Sequence, residues 1–262
     1  MLVAVGSIKD SPGATTVAVG LVARCPQPAV LIEADPAGGV LALRFGHHRA
    51  PGLTELAAAA RRPGRLDLDS LVQRLPIGAD VVFAPAAGEA AEGVTLLAEH
   101  GLPRLRELAA GRLLAVDVGR LDSRSPALPI AAAADVLLLV CRAWPDGLDA
   151  VAARRHSLLT VQAMPAPLRL VITGVGPHPC SQTAAHAAAA TGMTVAAVLP
   201  PDRRGEAVLA GRIRPGWAWT RLDLPRALRG LALTLHSDTR PALAVHSGPA
   251  KALGVDAKVG TA

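Results

Sequence analysis

Short runs of unbroken hydrophobicity alternate along this chain with stretches in which apolar residues recur every three or four positions. The first run, Leu2 to Gly6, has no polar face, which is the pattern of a strand buried on both sides. A turn at Ser11-Pro12-Gly13 follows, then helix-compatible sequence from Thr15 to Ala23. Ala29 to Glu33 reads as a second strand that ends in the loop Asp35-Pro36-Ala37-Gly38-Gly39. The spacing predicts helices over Leu53–Arg61 and Leu68–Leu75. Further strands are predicted at Asp80–Ala84, Arg112–Val116, Val136–Cys141, Leu168–Thr173 and Val195–Leu199. Amphipathic stretches over Asp146–Val161 and Gln182–Ala190 separate the later ones, and Leu224–His236 reads as a last helix.

Strands that alternate with helices build βαβ units. The expected fold class is therefore α/β: a mostly parallel sheet of about seven strands with helices on both faces. The series is uninterrupted and has neither an internal repeat nor a Pro/Gly-rich linker, which predicts one domain over 1–237. Beyond Ser237 the pattern breaks into weakly apolar, Pro- and Gly-punctuated sequence, and a disordered tail is expected over 238–262.

Composition narrows the picture. Of 262 residues 51% are hydrophobic but only 2% aromatic, so the core must be built from Ala, Val, Leu and Ile. Cys25, Cys141 and Cys180 are too scattered for a disulfide framework and lack the paired spacing of a zinc site. With no basic n-region leading an apolar stretch at the N-terminus, a cytoplasmic location is expected. The most apolar window, Ala127 to Trp144, is interrupted by Asp135 and falls short of the roughly 20 apolar residues a membrane span needs.

Ligands of open parallel sheets bind at the carboxyl ends of the strands, so the first strand-loop-helix is the place to look for chemistry. A phosphate-binding loop needs glycines, a lysine for the β/γ-phosphates and a hydroxyl for Mg²⁺. Here Gly13, the Thr15 and Thr16 hydroxyls and a helix N-terminus are present. The segment Lys9-Asp10-Ser11-Pro12-Gly13-Ala14-Thr15-Thr16 resembles the deviant Walker A motif of the ParA/MinD family, K-G-G-x-G-K-T-T. Lys9 stands at that family's signature lysine, which reaches across a dimer to the partner's nucleotide. Asp10 and Ser11 replace two glycines, Pro12 removes an N–H donor, and Ala14 replaces the loop lysine.

Three later segments extend the resemblance to about residues 2–236. Val30 to Gly39 is similar to the family's second-strand motif, hydrophobic residues followed by D-x-D-P-x-G, with Glu33 at the first acidic position. Asp35 then falls on the carboxylate that positions attacking water. Leu113-Leu-Ala-Val-Asp117 resembles Walker B, with Asp117 holding Mg²⁺ through water and Gly119–Pro126 as a switch loop. Val198-Leu-Pro-Pro-Asp202 resembles the segment near the adenine pocket, whereas Leu170–Gly174 lacks the Asn that often reads the base. The resemblance implies ATP and Mg²⁺ as cofactors, with Gly13, Ala14, Thr15, Thr16 and Asp202 lining the nucleotide. It also implies Thr15 and Asp117 at the metal, Asp35 and Lys9 as catalytic residues, and a homodimer.

Charge is distributed unevenly. Arg203, Arg204, Arg212, Arg214, Arg221, Arg226 and Arg229 face only Glu206 and Asp223 in their segment, a local +5 against +6 for the chain. Such a region suits DNA phosphates or, less directly, an acidic lipid surface, and equally a plain solvated face. Trp217 and Trp219 alternate within it as they would in packing against the sheet edge. Leu224–Leu235 reads as a final core helix, with a membrane-targeting helix as the alternative. The pairs His47-His48 and His178/Cys180 offer too few ligands for a metal, and Ser123 and Ser125 lack a nucleophile elbow.

Three functions fit these residues. One is a localisation adapter with a degenerate nucleotide site and weak or absent hydrolysis, as in TadZ/CpaE-like factors, serving a pilus or secretion machine, a partition system or a division site. The second is an active, ATP-dependent dimerising partition ATPase that binds nonspecific DNA. The third is a nucleotide-independent DNA-binding module.

Overall fold

Neighbouring residues of the central strands point to opposite sides of one sheet, and both sides are apolar because both are covered. Val3, Val5, Leu31, Leu138 and Val140 join one core cluster, while Leu2, Ala4, Ile32, Leu137 and Leu139 join the other. The computed structural model describes residues 1–64, 66–161, 166–174 and 180–239. Its elements are β1 (Leu2–Ser7), α1 (Ala14–Arg24), β2 (Ala29–Glu33), α2 (Leu41–Phe45), α3 (Leu53–Ala60), β3 (Gln73–Arg74) and β4 (Asp80–Val82). Next come α4 (Ala87–His100), α5 (Leu102–Leu108), β5 (Leu113–Arg120), α6 (Leu128–Ala133), β6 (Val136–Arg142) and α7 (Pro145–Val161). The chain continues through β7 (Leu168–Thr173), α8 (Cys180–Thr191), β8 (Thr194–Val198), α9 (Arg203–Leu209) and α10 (Asp223–Thr239).

The strands form one eight-stranded sheet in the order β3-β4-β2-β5-β1-β6-β7-β8. Every pairing is parallel except β3 with β4. The expected α/β sheet is met, with the two-residue β3 added at an edge. Helices α1, α2, α9 and α10 cover one face, and α3, α4, α6, α7 and α8 the other. In α10, Leu224, Leu228, Leu231 and Leu235 are buried, so its apolar face is committed to the core as expected of a final core helix. Among the described residues no helix is long and apolar enough to cross a membrane. The expected disordered tail lies outside the described residues from 240 onward.

Two expectations need correction. Leu68–Leu75 is not a helix; it makes a turn, closed by Leu71 N–H on the Leu68 carbonyl, and then enters β3. Its apolar residues serve different layers: Leu68 and Leu71 pack on one face of the sheet and Leu75 on the other. A helix has one apolar stripe and cannot supply both, so the chain unwinds to pass around the sheet edge. The second correction concerns the strand expected to stop near Val116, with a loop from Gly119. β5 instead runs to Arg120, its register with β1 shifting between Val5 and Gly6 so that Gly6 pairs Gly119. The connection after it therefore begins at Leu121.

Candidate functional site

The sheet order sets β1 between β5 and β6, so the loop after β1 is flanked by the ends of both. In that loop Asp10 and Ser11 hold positive φ angles of 62° and 41°, and Gly13 has φ 98°. Left-handed turns thus form here although two of the three residues carry side chains. The loop is fixed from outside. Thr173, at the end of β7, donates its hydroxyl to the Pro12 carbonyl at 2.8 Å, and Arg120 donates its Nε to the Ile8 carbonyl at 3.1 Å.

Gly13 precedes α1 as its N-cap and makes no side-chain cap, leaving the first N–H groups of the helix to solvent or a ligand. Ala14, the first residue of α1, is buried at 8% exposure and brings no charge to the loop. Lys9 is half-exposed and ion-paired in its own chain, 3.6 Å from Asp10 and 3.5 Å from Asp146 at the start of α7. Exposed pairs of this kind are worth about 1 kcal/mol or less each.

Across the loop, three carboxylates meet at the ends of β2 and β5. Glu33 and Asp117 are register partners, and the Ala34 N–H donates to the Asp117 carbonyl at 2.8 Å. Asp117 is 1% exposed; its carboxylate accepts the Gly119 N–H at 3.1 Å, and the Thr15 hydroxyl lies close to it. Burial raises its pKa to about 7 against the lowering effect of Thr15 and of that N–H, and the neighbouring Asp35 and Glu33 push the same way as burial. Asp35 is partly buried, and desolvation raises its pKa although it accepts the Ala37 N–H at 2.8 Å. It lies against Gly119, whose φ is 63° and where a Cβ would run into the Asp35 carboxylate.

Glu33 has a different task. Its Oε1 accepts the N–H groups of Val40 and Leu41 at 2.9 and 3.0 Å, and its Oε2 accepts Ala84 N–H at 3.3 Å. Desolvation raises its pKa, opposed by those three N–H groups and by the charge of Arg44. It staples the loop after β2 to the end of β4.

Asp202 was expected near the nucleotide. Its oxygens are engaged in capping α9, accepting Gly205 N–H at 2.8 Å and Leu224 N–H at 3.0 Å. A cleft of 370 Å³ opens beside the loop, with Ser11, Gly13 and Thr16 on its floor and Leu199, Pro200 and Leu228 on an apolar wall. Arg44, Arg142 and Arg212 also line it. The sequence reading missed Thr173, Arg142 and Arg44; Thr173 pairs Arg142 across β6 and β7, a proximity set by sheet order and by no motif.

The seven arginines of 203–229 are all exposed but do not act as one patch. Arg212 faces the cleft, while Arg204 and Arg214 line a small hollow with Trp217 and Trp219. Arg226 pairs with Asp223 at 3.7 Å. Arg203 and Arg229 stand on α9 and α10. Trp217 is 87% exposed with Arg221 over its ring at 5.3 Å, so it does not pack on the sheet edge; Trp219 is partly buried, with Arg24 of α1 at 5.6 Å, against the core that α1 and α10 cover. His47 bonds Gln73 at 3.4 Å, and no metal-holding cluster occurs among the described residues.

These residues can be tested against the expected cofactors. A hydroxyl and a buried carboxylate in contact, with a second carboxylate beside them, are the hard oxygen donors Mg²⁺ takes, so Thr15 and Asp117 fit it. A lysine-gripped triphosphate does not fit the loop, because Ala14 offers no charge and Asp10 adds a carboxylate.

No protein-family model matches the sequence, and no curated protein matches it. Solved structures do. A ParA family ATPase from Chlorobium tepidum superposes with a TM-score of 0.68 at 16% identity, covering 88% of this chain and 98% of its own. A substituted McdA from Cyanothece in complex with ATP gives 0.65 at 18% identity, with coverages of 90% and 96%. A chain of the Aquifex aeolicus MinC:MinD cell division protein complex gives 0.65 at 14%, with coverages of 92% and 97%. The mostly parallel sheet, its helical layers and these superpositions together give the chain the P-loop fold of the ParA/MinD ATPases.

Proposed function

We propose that this chain is a ParA/MinD-like spatial-organisation protein whose degenerate nucleotide site turns over ATP weakly or not at all, and which acts as a localisation adapter. The carrying observation is the loop itself: it holds left-handed turns at Asp10, Ser11 and Gly13, while Ala14 lies buried where a charge would be needed. A charge-assisted hydrogen bond is worth roughly 1.5–3 kcal/mol, so losing one costs about tenfold or more in affinity. The adapter would homodimerise and bind a protein of a positioning machine, whether pilus, secretion, partition or division-site, as MinD is found with MinC.

A second reading, an active partition ATPase that dimerises on ATP and binds DNA, is favoured by the contact between Thr15 and Asp117 beside Asp35. The two separate in one experiment, titration of ATP and ADP into the wild type and Ala14→Lys with phosphate release measured alongside. The adapter reading expects little or no turnover, and tighter nucleotide binding in Ala14→Lys. Mg²⁺-dependent turnover in the wild type that Asp35→Ala abolishes would refute it. Arg204, Arg214 and Arg221, grouped around exposed Trp217, are proposed as a contact for nonspecific duplex DNA, and retardation at two salt concentrations tests this. An acidic membrane surface is the less favoured partner, because the apolar face of α10 is already buried.

A further inference from the structure

We propose that the cleft beside the loop takes a nucleoside phosphate whose anionic end is held by Arg142 and Arg212, in place of the absent loop lysine. The inference rests on the nucleotide-site reading above and deepens it by assigning the grip to residues outside the loop.

The cleft has 370 Å³, inside the range of about 300–1,000 Å³ usual for small-molecule sites. Its floor is the loop and the start of α1, through Ser11, Gly13 and Thr16. One wall, from Leu199, Pro200, Leu224 and Leu228, is apolar and offers a flat ring its burial. The cationic side comes from two separate elements. Arg142 ends β6, paired in register with Thr173, and Thr173 is itself bonded to the Pro12 carbonyl at 2.8 Å. The base of this arginine and the loop therefore belong to one hydrogen-bonded unit. Arg212 follows α9, its position fixed by its own N–H on the Ala207 carbonyl at 2.8 Å.

What singles out these two arginines is their place: both line the cleft, and among the described residues neither has an ion-pair partner to compete for its guanidinium. Arg44, the third cation of the cleft, lies within the field of Glu33. Glu206 is the acidic residue in the lining, so three arginines leave the cleft net positive. A guanidinium stays charged at all working pH and presents a planar fork of donors that matches phosphate oxygens two at a time. A site built this way neutralises its ligand without a metal ion.

The test is a fluorescence titration of the full chain with methylanthraniloyl-ADP, in EDTA and in Mg²⁺, on wild type, Arg142→Ala, Arg212→Ala and the double variant. Binding of ADP in EDTA is expected, weakened roughly tenfold by each single substitution and lost in the double. Pyrophosphate is expected to compete roughly tenfold less well than ADP, because it leaves the apolar wall empty. Both side chains are exposed, so unchanged circular dichroism melts are expected to accompany the loss. Failure of the wild type to bind ADP at millimolar concentration overturns the proposal. So does binding that the arginine variants leave unchanged, and so does pyrophosphate competing as well as ADP. Turnover sensitive to Asp35→Ala refutes the adapter reading; arginine-insensitive binding refutes this one.

Discussion

Replacing Asp117 by Asn should stabilise this protein at pH 8 and do the reverse at pH 4. The wild-type carboxylate is 1% exposed, and its pKa stands at about 7 against an ordinary value of 3.8. The folded state therefore holds the proton more tightly than the unfolded chain. The stability that follows is fully present below about pH 4 and is lost as pH rises through about 7. A shift of about three units at ~1.36 kcal/mol each makes that loss ~4 kcal/mol. Asn carries no charge to bury, but it brings a buried NH2 group with two donors where the carboxylate offered only acceptors, a deficit of about 1 kcal/mol. The variant should thus be more stable by about 2–3 kcal/mol at pH 8 and less stable by about 1 kcal/mol at pH 4. Urea unfolding of both proteins at pH 4, 6, 7 and 8, read as midpoint and slope, gives the difference curve. A flat difference, or a wild type that gains on the variant as pH rises, would refute the reasoning, since either result means an ionised carboxylate already held by a cation.

Other substitutions probe the frame around it. Glu33→Ala strands the N–H groups of Val40, Leu41 and Ala84 and should cost about 3–5 kcal/mol in urea, with Glu33→Gln milder. Gly119→Ala puts a Cβ into the Asp35 carboxylate at a φ of 63° and should cost about 2 kcal/mol or more, seen as a lowered melting temperature. Trp217→Ala removes a side chain that is 87% exposed, so stability should move by less than about 0.5 kcal/mol while retardation of duplex DNA at low salt weakens.

The strands were legible because each carries a closed apolar run, and Leu168–Thr173 and Ala29–Glu33 fall on their predicted bounds. Helix α4 gave no such contrast. Its residues Ala87 to Glu92 are alanine, glycine and glutamate, and small residues mark neither face. Leu68–Leu75 failed for the opposite reason, a clean helical spacing whose members belong to two cores. At the candidate site, Gly13, Thr15, Asp35 and Asp117 were readable because each sits at a strand end or helix start in chain order. Arg142 and Thr173 were not, because their nearness to the loop depends on β6 lying beside β1 and β7 beside β6.

The left-handed turns at Asp10 and Ser11 have an energetic consequence. Left-handed backbone costs roughly 1–2 kcal/mol per residue with a Cβ, yet the loop keeps its course. What keeps it is the clamp from Thr173 and Arg120 on the carbonyls of Pro12 and Ile8. The loop behaves as a casting whose mould is the ends of β5 and β7, so its outline survives substitution of the residues inside it. Glycine at positions 10 and 11 would then relax the chain without redrawing it. The left-handed course of this loop is thus set from β5 and β7 rather than by the side chains the loop itself carries.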